Sequence, residues 1–213
     1  MTAAVVPVTV VIAVHPPRFT RRMLGEALLS VVRQTVQPCE IIIANDVTGE
    51  GSAATRNHAL SKVTSTWVAF LDSDDWFLPH HLDTLLSAVN REDAWDPADV
   101  AYSWPVVYDN DRNEIPRHDT WGGGPVFDPD RLRREAHIQT TSLVRTKAAK
   151  ATGGFQFTTD EHGASNDDHG FYLALLAAGS HFVCVPEVTF AWRHHGVSRP
   201  GVDGNTSGRA DRW

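Results

Sequence analysis

A chain of 213 residues, 42% hydrophobic and 21% charged, is long enough to bury a sizeable core as one domain or one with a modest annexe. Its net charge of −7 argues against tight nonspecific binding to nucleic acid, which needs a basic face. No run approaches the ~20 apolar residues of a membrane span, and the first apolar run has no basic stretch ahead of it, so a strand is expected there rather than a signal peptide, in a cytoplasmic protein.

Val8-Thr9-Val10-Val11-Ile12-Ala13-Val14 is β-branched and continuous, the pattern of a buried parallel strand, and His15-Pro16-Pro17 breaks it into a loop at its carboxyl end. From 20 to 34, Met23, Leu24, Ala27, Leu28, Val31 and Val32 recur at helical spacing. Pro38 closes that helix, and Glu40-Ile41-Ile42-Ile43-Ala44 reads as a second buried strand ending in Asn45-Asp46. Gly49 and Gly51 precede a short helical pattern through Ala53, Ala54, Asn57, Ala59 and Leu60. Trp67-Val68-Ala69-Phe70-Leu71 is long enough for a third buried strand and too short for a helix. Pro79 suits the first turn of a helix over 79–90, with Leu82, Leu85, Leu86 and Val89 on one face. Strand and helix alternating in this way imply an α/β fold, a parallel sheet with right-handed crossovers.

The pattern changes after about residue 96. Residues 100–108 resemble a strand, and the proline within them, Pro105, implies an edge or a bulge. Asp109-Asn110-Asp111-Arg112-Asn113 lacks the sixth-position Gly and twelfth-position Glu of a calcium loop, so a plain hairpin turn is expected. Trp121-Gly122-Gly123-Gly124-Pro125 reads as a flexible joint, 140–144 as a strand and 146–151 as a short helix stopped by Gly153-Gly154. A helix over 166–178 carries Phe171, Tyr172, Leu175 and Leu176, and two further strands follow at 182–185 and 188–192. The polar tail from Arg199 has little to bury and is expected to be mobile. Cys39 and Cys184, each beside apolar strand-like residues, read as small core hydrophobes in a reducing compartment, a disulfide being the alternative.

The third strand runs straight into Asp72-Ser73-Asp74-Asp75, which sets carboxylates just past the carboxyl end of a buried strand. Ligands bind at that edge of open α/β sheets. Carboxylates this close repel one another unless a cation sits between them, and a hard divalent ion is the usual solution. An acidic turn that caps the next helix is the simpler alternative.

The order of motifs resembles the family 2 glycosyltransferases, which have the GT-A fold: Gln34-Thr35 with Pro38 and Glu40, strand-Asn45-Asp46, Gly51 with Arg56-Asn57, and Phe70-Leu71-Asp72-Ser73-Asp74-Asp75. Gly153-Gly154-Phe155, Asp167-Asp168 opening a helix and Trp192-Arg193-His194-His195 extend the resemblance over residues 8–198. It implies a Rossmann-like, mostly parallel sheet with helices on both faces and a smaller mixed acceptor-side region. Residues 1–213 would be a single GT-A domain: 1–95 the nucleotide-binding half, 96–198 the acceptor-side half and 199–213 a flexible tail.

The resemblance also implies roles. Asp46 would hydrogen-bond the donor's base, a carboxylate suiting the imide N–H of uracil, which makes a UDP-sugar the favoured donor, dTDP second and GDP third. Asn45 departs here from the commoner Asp-Asp pair. Arg56 would lie near the phosphates. Asp72 would hold ribose hydroxyls, and Asp74, with its DXD-type motif, would ligate Mn²⁺ or Mg²⁺. Asp75 would cap the next helix or support the site. Asp168 would be the general base of an inverting transfer to an acceptor hydroxyl, with Asp167 beside it standing where the family usually has Glu. His195 matches a position that ligates the metal or touches phosphate. Trp76, Trp104 and Trp121 are candidates to stack on a sugar ring or to pack at the rim. The acceptor, whether glycan, lipid, protein or small molecule, is not legible, and a partner protein or homo-oligomer could complete its site. Two alternatives stand beside this reading. A haloacid-dehalogenase-like phosphohydrolase also uses Asp-x-Asp after a strand, although on the first strand and without a residue like Trp76 after it. The other is a non-catalytic nucleotide-sugar binding module.

Overall fold

The computed structural model describes residues 4–14, 20–46, 49–90, 97–115, 124–159 and 165–195. The strands β1 (Val5–Val14), β2 (Gln37–Asn45) and β3 (Trp67–Asp72) alternate with the helices α1 (Arg21–Val32), α2 (Ser52–Lys62) and α3 (His81–Val89), with a two-residue strand β4 (Trp76–Phe77) ahead of α3. Then come β5 (Val100–Tyr108), β6 (Glu114–Ile115), α4 (Pro129–Arg134), β7 (Leu143–Arg145), α5 (Thr146–Ala151), β8 (Thr158–Thr159), β9 (Ser165–Asn166), α6 (Asp167–Ala177) and β10 (Phe182–Arg193). The main sheet has eight strands in the order β2-β1-β3-β7-β5-β10-β4, with β6 paired to β5, and β8 and β9 form a small separate pair.

The predicted alternation puts β1 parallel to both β2 and β3. β7 then runs antiparallel to β3 and to β5, which in turn is parallel to β10. The period of two along each strand sorts the core into two faces. Val8, Val10, Ile12, Trp67, Ala69 and Leu71 face a cluster with Ala27 and Val31 of α1 and Leu82 and Leu85 of α3. Val11, Val68, Phe70, Val100 and Tyr102 face the other, with Leu60 of α2, Leu132 of α4 and Phe171 and Leu175 of α6. Helices therefore cover both faces, and the mixed portion of the sheet follows the parallel one, as expected. Among the described residues no helix is long and apolar enough to cross a membrane.

Several local expectations are corrected. β2 is the outermost strand, half exposed along its length, because a strand paired on one side only cannot be covered as β1 is. Cys39 is accordingly exposed while Cys184 is buried, and neither is in a disulfide. β5 lies inside the sheet. Pro105 is tolerated there because β7 pairs only with Val100 and Ala101 and β6 only with Val107 and Tyr108, which leaves the middle of that side without a strand partner among the described residues. The bulge falls in the facing strand, where the register shifts between Val185 and Val188, and residues 182–193 form one strand instead of two. α3 starts at His81, so Pro79 lies just before it. The turn after β5 is the hairpin expected, its Asp109 carboxylate accepting the N–H groups of Asp111 and Asn113. The glycine-rich joint up to Gly123 and the tail from Arg199 lie outside the described residues.

Candidate functional site

β3 ends in Asp72, and the turn that follows carries Asp74 and Asp75; one carboxylate oxygen of each lies within 4.8 Å of the other two. Each is held differently. Asp75 is buried and accepts the backbone N–H of Arg193 at 2.8 Å, so it ties the turn to β10 and does not cap α3. Burial, then Asp74 and Asp72, push its carboxyl well above the usual range. Asp74 Oδ2 meets His195 Nε2 at 2.7 Å, and His195 Nδ1 meets Asn110 Oδ1 at 2.8 Å. Two residues singled out as metal candidates, 121 positions apart, are thus in contact. Asp72 Oδ1 accepts Arg56 Nη2 at 2.6 Å. Burial raises the Asp72 carboxyl and Asp74 adds to it, while Arg56 pulls the other way.

Arg56 projects from α2 and is itself buried. Its second terminal nitrogen donates to Asp167 Oδ2 at 2.6 Å, and Ser52 Oγ donates to the same oxygen at 2.8 Å. Burial works against the charge of this guanidinium, yet Asp72 and Asp167 outweigh it and hold it protonated. The terminal nitrogens thus bridge two carboxylates. Asp168 follows Asp167 in the first turn of α6, and its Oδ1 accepts the N–H of His169 at 2.8 Å. That bond is a helix-end contact, and Asn166 at the cap position makes no side-chain capping bond. Burial, and then the neighbouring Asp167, raise the Asp168 carboxyl to about 7.

Asp46 stands at the far end of β2, where its carboxylate accepts the N–H groups of Glu50 and Gly51, both at 3.0 Å. It thereby organises the entry to α2, whose cap position is Gly51. Trp76 stacks on Tyr108 at 5.2 Å, with the guanidinium carbons of Arg112 and Arg193 at 5.3 and 5.2 Å from its ring. The half-buried ring packs against these three side chains. His15, Pro16, Pro17, Trp121 and the stretch 196–198 lie outside the described residues. Sequence reasoning missed Asn110, hidden in an ordinary turn, and the role of Arg193, whose Nε donates to the Asp74 carbonyl while Nη2 pairs with Glu26 of α1.

The acidic set fits a hard divalent cation. All the donors are carboxylate oxygens or an imidazole, and Mg²⁺-type ions are commonly held by one or two carboxylates together with substrate phosphates. Asp74, with His195 in contact with it, would hold it, beside the Asp72 and Asp75 carboxylates of the same cluster.

Comparison with solved structures agrees with this geometry at the level of the fold. A fragment of S. aureus TarS, residues 1–349 in complex with UDP-GlcNAc, superposes with a TM-score of 0.66 at 15% identity, covering 92% of this chain and 60% of that one. The same fragment in complex with UDP gives 0.61 at 15% identity, covering 88% of this chain and 60% of that one. TarS itself gives 0.62 at 13% identity, covering 88% of this chain and 36% of that one. The chain therefore spans about three fifths of the TarS fragment and little more than a third of the longer TarS chain. A search of curated proteins by sequence returns no match. The fold is of the GT-A type. The profile described as glycosyl transferase family 2 matches residues 47–158, from the loop after Asp46 through α2, the Asp72–Asp75 turn and the Gly153-Gly154-Phe155 segment, and the chain belongs to that family.

Proposed function

We propose that this protein is a metal-dependent, inverting glycosyltransferase that moves a sugar from a nucleotide-sugar donor, a UDP-sugar in the first instance, to an acceptor hydroxyl. The observation that carries the reading is the bridge from Asp72 through Arg56 to Asp167. It joins the donor-side carboxylates to the turn that bears Asp168, so a sugar between them would have its leaving group on one side and a base on the other. The UDP-GlcNAc complex of the TarS fragment, a protein of the same fold, supports the choice of UDP.

The chemistry assigned to these residues is a single displacement. Asp168 accepts the acceptor's hydroxyl proton, the acceptor oxygen forms a bond to the anomeric carbon, and the bond from that carbon to the diphosphate oxygen breaks with its electron pair, inverting the centre. A carboxyl raised to about 7 suits that task, being ionised enough near neutrality to act yet basic enough to take a proton. A bound Mn²⁺ or Mg²⁺ at Asp74 and His195 would neutralise the charge that develops on the departing nucleoside diphosphate. Asp72 would meet ribose hydroxyls through its second oxygen, and Asp46 would be the base contact. In this reading residues 1–95 hold the nucleotide and 96–198 shape the acceptor side, which a second copy or a partner protein could complete. The test is a thermal-shift screen of UDP, dTDP and GDP with and without Mn²⁺, followed by hydrolysis of UDP-GlcNAc. Stabilisation by UDP that needs Mn²⁺ is the expected result, since a ligand of the native state raises its apparent stability. Stabilisation by GDP with no response to UDP would overturn the donor assignment.

A further inference from the structure

Arg56 is the one described arginine that bridges two buried or half-buried carboxylates from different elements, Asp72 at the end of β3 and Asp167 at the start of α6, each at 2.6 Å. Its neighbour Asn57 adds a second tie in the same direction. Asn57 Nδ2 donates to the Phe155 carbonyl at 2.8 Å and its Oδ1 accepts the Phe155 N–H at 2.7 Å. The Phe155 ring then stacks on Phe171 of α6 at 4.3 Å. So α2 presents two adjacent side chains, Arg56 ending on α6 itself and Asn57 on the Phe155 backbone, whose ring packs on α6. The approach is close throughout: a Cβ at Gly154 would collide with Asn57, and one at Gly170 with the Gln156 carbonyl.

We propose that Arg56 is a positioning residue that fixes the first turn of α6, and with it Asp168, against the end of β3, and that it is not a ligand of the donor's phosphates. This rests on the proposed transferase function only for what Asp168 does; the mechanical claim stands on the two contacts. A phosphate ligand needs donors aimed at an anion. Here each terminal nitrogen already donates to a carboxylate, the side chain is only 7% exposed and Nε is buried, so little of the guanidinium is open to an anion. The bridge also explains how Asp72, Asp167 and Asp168 lie close together: one delocalised cation with two separate faces satisfies two of them, which the single point charge of lysine does less well.

The experiment compares wild type with Arg56→Met, Arg56→Lys and Asp167→Asn in the full chain. Three quantities are measured: amide exchange of residues 166–170, affinity for UDP with Mn²⁺, and kcat and KM for UDP-GlcNAc hydrolysis. We expect exchange in that turn to rise about tenfold or more in Arg56→Met and Asp167→Asn, with β1 and β3 unchanged and with partial rescue in Arg56→Lys. UDP affinity and KM should stay within about threefold, while kcat falls at least about tenfold. A tenfold loss of UDP affinity with unaltered exchange would make Arg56 a phosphate ligand and overturn the proposal, and so would no change in either. If Arg56→Met fails to fold, Asp167→Asn and Arg56→Lys carry the same comparison. If wild type binds no UDP, the donor assignment fails, and the exchange measurements still decide whether Arg56 holds α6.

Discussion

His195 Nε2 rests 2.7 Å from Asp74 Oδ2, so the segment after the last strand of the sheet closes onto the carboxylate that follows β3. Asn110 holds the other side of the ring at 2.8 Å. The two metal candidates and the residue that orients the imidazole thus come from three separate stretches of chain.

The first prediction concerns that pair. Asp74→Asn should abolish the Mn²⁺-dependent thermal stabilisation by UDP while leaving the melting temperature of the protein alone nearly unchanged, because the carboxylate lies outside the core. Asn110→Ala, which only orients the imidazole, should weaken apparent Mn²⁺ affinity by roughly tenfold. Full turnover in excess EDTA would count decisively against a metal role.

The second concerns Asp168. Asp168→Asn should reduce transfer by roughly 10²-fold or more, the scale of general-base catalysis, and keep UDP binding. In wild type the rate should rise about tenfold per pH unit and level off above about 7, as the raised carboxyl loses its proton. The sign for stability is opposite. A carboxyl raised from 3.8 to about 7 by folding favours the folded state below 3.8, and that contribution is lost as pH rises through 7. The Asp168→Asn protein should therefore lose less stability than wild type between pH 4 and 8 by urea titration. Near-normal transfer in Asp168→Asn with a dead Asp167→Asn would move the base one residue earlier.

The third concerns acid lability. His81 is fully buried against Phe77 and bonded to Thr189, and burial lowers its imidazole from 6.5 to about 3; burial likewise lowers His137 to about 4. Both must charge on unfolding, so stability should fall as pH drops below 6.5, by up to about 1.4 kcal/mol per pH unit for each group. His81→Phe should flatten the slope of the urea midpoint between pH 6.5 and 4, whatever its stability at pH 7. An unchanged slope would assign the lability elsewhere.

The fourth uses two glycines. Gly170→Ala drives a Cβ into the backbone carbonyl of Gln156 and should cost about 1–3 kcal/mol. Gly25, within α1, has nothing within 4 Å of its missing Cβ, so Gly25→Ala should stabilise by about 0.5–1 kcal/mol. Opposite shifts in melting temperature are the expected outcome, and shifts of the same sign would refute the packing argument at α6.

The parallel half of this protein was legible because its signals are local. A β-branched run such as Val8–Val14 cannot be satisfied except between neighbours on both sides, and the helical spacing of Leu82, Leu85, Leu86 and Val89 admits one face. The acidic turn after Phe70-Leu71 was legible for the same reason, as were the motif order and the family. The edge position of β2 was not, because Ile41-Ile42-Ile43 looks the same whether a strand is paired on one side or two. Partner choice among charges was also beyond the sequence. Nothing near Arg56 in the chain indicates Asp167, 111 positions away, or that both its terminal nitrogens would be engaged by carboxylates. Asp46 shows the same limit, a strand-end acid whose oxygens meet backbone N–H groups only once the loop has folded back on it. Long-range ion pairs form where burial makes an unpaired charge costly, and which charges are buried together is decided by tertiary packing alone.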